Sequence, residues 1–185
     1  AGDMLTGALL ELHPDPEAFI AKMNTVFGGR AVISAKPDRK CGIKGTHVSV
    51  LINGDEEGAV LCHEHEPTSI AEILGFIAAA PLPDKVRCDA AAVYKMLADA
   101  ESRVHSTPVE NIHFHEVGSI DALADVLNVC MLMYELAPEK VICSPISVGS
   151  GSVHCAHGVI PVPAPSTEVL LRGIPYHSGD IESEL

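Results

Sequence analysis

The stretch from Ile120 to Leu136 constrains this chain most. At 3.6 residues per turn it is apolar on most sides. Its polar residues Asp121, Asp125 and Asn128 fall at i, i+4 and i+7, in one narrow stripe. A helix of that kind has to be packed round by other elements. The stripe then faces either a wet cleft or bulk solvent. Solvent is the simpler reading for Asp125 and Asn128; Asp121 suits either and also favours the positive end of the helix dipole. Ser119 stands where the cap of such a helix belongs.

The rest of the chain supplies the packing. Helices are expected over residues 3–12, capped by Asp3, and 15–26, with Pro16 in the first turn and Gly28-Gly29 after the end. Thr68 or Ser69 opens another, to about Ala80, and a long one runs from Asp84 to His105. Strands are expected at 30–36 and 46–53, joined by a charged loop from Pro37 to Gly45, and at 111–117 and 140–146. The alternating prolines of 159–165 fix an extended run, and Ser166-Thr167 cap a last short helix. Helices and strands intermingle, so the fold is α/β or α+β: a single domain over 1–185, with a mixed sheet packed by several helices. Both ends look cut, and the chain reads as a fragment.

A formal charge of −13 argues against nucleic acid and anionic membranes as partners, and aromatics at 4% against a base-stacking platform. No run approaches the ~18 apolar residues of a membrane span. No pair among the six cysteines has CxxC spacing, and no signal peptide is visible, so the thiols are read as reduced and the protein as cytoplasmic. Cys130 and Cys143 read as small core residues.

Three clusters carry possible chemistry. In His113-Phe114-His115-Glu116, a strand places both imidazoles on one face, where they and a carboxylate can hold zinc or nickel. A pair of satisfied strand histidines is the plainer alternative. In His154-Cys155-Ala156-His157, one thiolate with two imidazoles makes a soft to borderline ligand set, and Cys155 could instead be a nucleophile activated by His157; the preceding Gly149, Ser150, Gly151 and Ser152 form a flexible turn that could cradle a phosphate or be an ordinary loop. Third, His63 and His65 lie in a polar segment that could capture metal loosely, or simply be solvated. Lys36, Arg39, Lys40 and Lys44 crowd one loop, by default a solvated hairpin tip.

Five stretches, in family order along the chain, resemble the LarC family of nickel-insertion proteins. They are Ala1-Gly2-Asp3-Met4-Leu5-Thr6-Gly7-Ala8-Leu9-Leu10, Ala100-Glu101-Ser102-Arg103-Val104-His105, His113-Phe114-His115-Glu116-Val117-Gly118-Ser119-Ile120-Asp121, Ser147-Val148-Gly149-Ser150-Gly151-Ser152-Val153 with Cys155-Ala156-His157-Gly158, and Pro161-Val162-Pro163-Ala164-Pro165-Ser166-Thr167. The resemblance implies insertion of nickel into a pyridinium bisthiocarboxylate mononucleotide, giving the nickel-pincer nucleotide cofactor. CTP is consumed, with Mg or Mn, and nickel ends bonded to sulfur and a ring carbon, the work of a cyclometallase of the lyase class. On that footing His113, His115 and Glu116 suit nickel delivery and loss of the ring proton, and Cys155 and His157 would pass nickel toward sulfur. The family's C-terminal, CTP-associated domain and the strand ahead of Ala1 have no counterpart in this sequence, and its histidine tract is reduced to His63 and His65.

Two rival functions fit the same residues. One is a metal-dependent hydrolase with Glu116 or Asp121 as base toward a metal-bound water. The other is a nickel carrier without catalysis. Self-association into a homo-oligomer is compatible with all three.

Overall fold

In the computed structural model, residues 2–52, 55–56, 68–114, 116–155, 158–179 and 182–183 are described; for Asp55, Glu56, Glu116 and Cys155 this covers the backbone alone. The elements run α1 (Gly2–Leu10), α2 (Pro16–Phe27), β1 (Ala31–Lys40), β2 (Ile43–Ile52), β3 (Asp55–Glu56), β4 (Thr68–Ser69), α3 (Ile70–Ala79) and α4 (Asp84–His105). They continue with β5 (His113–Phe114), α5 (Ile120–Leu136), β6 (Ile146–Val148), β7 (Ser152–Cys155), β8 (Gly158–Pro161), α6 (Pro165–Leu170) and β9 (Tyr176–Ser178). The mixed α/β class is as expected. The strands, however, divide among small sheets: antiparallel β1-β2-β3, β4-β5 and β7-β8, and parallel β6-β9.

Capping sets the helix starts. Asp15 accepts a hydrogen bond from the Ala18 N–H, and Ser119 one from Ala122. Ser69 and Glu72 form a reciprocal capping box. Each helix then presents an apolar stripe: Phe19, Met23 and Phe27 on α2; Ile70, Ile73 and Ile77 on α3; Val86, Ala90, Tyr94 and Ala98 on α4. On α5 the buried set is Leu123, Ala124, Leu127, Met131 and Leu132. It is central, meeting α1, α4 and the β1–β2 hairpin. Full burial of each large apolar side chain contributes about 1.5–3 kcal/mol. Asn24 on α2 closes the free edge of β1, its amide pairing both the N–H and the carbonyl of Ile33.

Five boundaries differ from expectation. The residues read as a charged loop, 37–45, extend the two strands to a tight turn at Cys41-Gly42, both with positive φ. This is the twist a two-residue hairpin turn requires. Residues 140–145 form no strand; pairing begins at Ile146, after Pro145, which has no N–H to give. Val141 and Ile142 are exposed, and so is Cys143, which is not a core residue; Cys130 is half-buried. The last helix starts at Pro165, whose ring presets the helical φ, with Ala164 rather than Ser166 or Thr167 at its cap. Of the expected strand over 111–117 the described residues pair at His113–Phe114, opposite β4, which ends where α3 begins; Val109–Asn111 and Glu116–Gly118 are 3-10 turns. Asp3 lies inside the first turn of α1 rather than ahead of it. Among the described residues no helix is long and apolar enough to cross a membrane.

Candidate functional site

The segment around His113 is built on one anchor. Phe114 is buried and meets the Tyr94 ring edge-on at 6.1 Å. Tyr94 in turn donates a hydrogen bond to the Val117 carbonyl at 3.2 Å. Burial, and then the charge of Asp125, push its hydroxyl well above the ordinary range, so it remains a donor. With Phe114 turned in, period-two alternation turns His113 out, and His113 is exposed. It pairs with Ser69 across the β4–β5 ladder and faces the field of Glu72. The Glu72 carboxyl is held low, first by hydrogen bonds from the Ser69 hydroxyl and N–H. Gly118 allows the chain to turn here, since a Cβ would lie 2.8 Å from that of Phe114 and 3.2 Å from that of Thr68.

His115 lies outside the described residues. Glu116 opens a short 3-10 turn, Glu116–Gly118, that leads to the Ser119 cap. Asp121 follows in the first turn of α5.

The stripe on α5 is turned inward at two of its three residues: Asp125 meets α1, and Asn128 is buried. Asn128 is wholly buried and neither end of its amide has a partner; Thr6, also wholly buried, leaves its hydroxyl unpaired, and so does one oxygen of Asp125. Such groups cost about 1–3 kcal/mol each, so an array of them marks a place built for more than packing. Asp125 accepts a hydrogen bond from the Asp3 N–H. Its carboxyl is nonetheless pushed up to about 6, chiefly by burial, then by Asp121 and Asp3. A carboxyl at that value exchanges its proton near neutral pH. Gly2 belongs to the same seam: the space of its absent side chain is filled by the Asp125 carboxylate.

The other clusters are separate. Gly149, Ser150 and Gly151 precede β7, which Ser152 opens and Cys155 closes, paired with Gly158 across the hairpin. Over the glycines lie Glu182 and Ser183, so a phosphate there would meet chain and an acidic residue rather than an open cradle. His157, His63 and His65 lie outside the described residues. Among the described residues no three His, Cys, Asp or Glu side chains converge on one metal ion. Burial, then Asp89, push the Cys130 thiol up to about 11, keeping it protonated.

Sequence reading passed over Thr6, Glu72 and Tyr94. Glu72 was legible as the fourth residue of a Ser-x-x-Glu box; nothing marks Thr6 until α1 is seen against α5.

Across residues 1–185 the chain matches the family model described as "Nickel insertion protein". A pyridinium-3,5-bisthiocarboxylic acid mononucleotide nickel insertion protein of Desulfitobacterium hafniense is 37% identical over 187 residues, taking in 100% of this chain and 44% of the relative. Its namesake in Geobacillus kaustophilus is 34% identical over 190 residues, with 100% and 45% covered. The chain thus spans less than half the length of these relatives. No solved structure matches it.

Proposed function

The chain belongs to the nickel insertion protein family, and from that premise we propose that it is the N-terminal, metal-handling region of a protein that inserts nickel into pyridinium-3,5-bisthiocarboxylic acid mononucleotide. The single observation that carries the reading is the family match along all 185 residues, together with relatives whose printed names specify that substrate. Nickel is here a substrate, captured and handed on.

In this reading the exposed imidazole of His113, with His115 beside it in the chain, takes nickel from solution, and His63 and His65 are a loose first capture. Glu116 and Asp121 are the carboxylates for the ring proton, at the start of α5. Cys155 and His157, a softer pair, receive nickel on its way to sulfur. The cyclometallase, CTP-consuming character and cytoplasmic location belong to this proposal for the whole protein. A nucleotide phosphate at the Gly149–Ser152 turn would share it with Glu182 and Ser183, and no other residue of this chain is assigned to CTP or its Mg or Mn.

Isothermal titration with nickel tests the site. The double variant His113→Ala/His115→Ala should bind at least about tenfold more weakly than the parent chain. An unchanged isotherm would sink the assignment. A carrier that only binds and releases nickel predicts the same loss, so turnover of the mononucleotide by the whole protein separates the two.

A further inference from the structure

One residue from His113 the surface opens into a cleft of about 170 Å³, with Phe27, Arg30, Thr68, Glu72, Phe76 and Gly118 in its lining. Thr68 pairs with Phe114 in the β4–β5 ladder, which ties the cleft to the strand that carries His113. Its walls are mainly apolar. Phe27 and Phe76 stack, 5.8 Å between centroids and 22° between planes. The Arg30 guanidinium lies over Phe76, 4.8 Å from the ring centre. Among the described residues Arg30 pairs with no carboxylate, and it stands in the lining of the cleft. Glu72 supplies the opposite charge.

We propose that this cleft seats a planar aromatic acid with a positively charged ring: the pyridinium of the mononucleotide, an acid group on Arg30 and the ring charge toward Glu72. The proposal rests on the nickel-insertion reading and adds to it where the organic substrate sits. Three features converge on that occupant. Size comes first. Sites that engulf whole drug-sized ligands run to roughly 300–1,000 Å³. At about 170 Å³ the cleft takes one ring and its substituents, leaving ribose and phosphate outside. Charge comes second. In a chain of net charge −13 an anion needs a local cation, and a ligand with both signs needs both Arg30 and Glu72. Shape comes third. A mainly apolar cleft walled by the Phe27–Phe76 pair and the Gly118 turn suits a ring, and the guanidinium suits the planar acid group attached to it. A ring seated there lies beside the strand whose exposed imidazole would bring nickel.

The test uses the chain without nickel and two flat probes of one shape: N-methylpyridinium-3,5-dicarboxylate and uncharged-ring benzene-1,3-dicarboxylate. Titration calorimetry should show the pyridinium probe binding more tightly. Arg30→Gln should weaken both by about tenfold or more, with Arg30→Lys in between. Glu72→Gln should narrow the gap between the probes while leaving benzene-1,3-dicarboxylate bound. Thermal melts check that each variant is folded. Undiminished binding in Arg30→Gln, an undiminished preference in Glu72→Gln, or no binding of either probe at millimolar concentration overturns the proposal. Nickel titration of the His113→Ala/His115→Ala variant reads the underlying function separately, since it does not involve the cleft.

Discussion

Asp125 shows how much one buried acid can say. Its carboxyl lies near pH 6 in the fold against an ordinary value of 3.8, so the folded protein favours the protonated form. The contribution to stability is therefore full below pH 3.8 and is lost as pH rises through about 6. Discounted for the exposure of a group that is only half-buried, the loss is about 1 kcal/mol. Asp125→Asn keeps the shape and an acceptor for the Asp3 N–H while removing the charge. We expect it to melt higher than the parent at pH 7.5 and to flatten the decline between pH 4 and 7; equal slopes in thermal melts would count against this account of the seam. Asp125, Asn128 and their spacing were readable in the sequence. The side they face was not, because α5 is apolar nearly all round and the stripe could meet solvent equally well. Only the approach of α1, with Gly2 and Asp3 against Asp125, decides it.

At the scale of elements, caps were legible and pairings were not. Ser119 and Ser69 announce α5 and α3 because a side-chain oxygen must satisfy the first free N–H groups of a helix. The tip of the β1–β2 hairpin carried no such mark. Cys41 holds φ 50° there, ahead of Gly42 at 82°, where Asn is the favoured partner of Gly. Cys41→Asn should stabilise the chain by about 0.5 kcal/mol, visible as a melting point higher by about 1–2 °C. A lower one would mean the turn is not of this type. Beyond the core the same hairpin sets Arg39 directly across from Lys44, a like-charge pairing that costs stability. The strand misread at 140–146 shows the converse: Val141 and Ile142 have the composition of a strand, but backbone pairing begins only past Pro145.

For the whole molecule, a net charge of −13 with Lys36, Arg39, Lys40 and Lys44 gathered in one hairpin leaves the rest of the surface a collector of cations. Nickel affinity should fall several-fold as ionic strength rises from about 0.01 M to about 1 M, since the screening length drops from about 30 Å to about 3 Å. An affinity indifferent to salt would leave the ligands alone responsible. Composition and motif gave this much: class, family and the neighbourhood of His113. They could not give the Arg30 cleft, whose lining comes from α2, α3, β4 and the start of α5, far apart in sequence and joined only by packing.

The β4–β5 ladder has a last consequence. Among the described residues two pairs join the strand that carries His113 to β4, and so small a ladder at an exposed residue is cheap to open. The amide protons of His113 and Phe114 should therefore exchange with heavy water sooner than those of Leu127 and Met131 in mid-α5, and under the role proposed for His113 the residence of nickel there is bounded by how often that clasp springs.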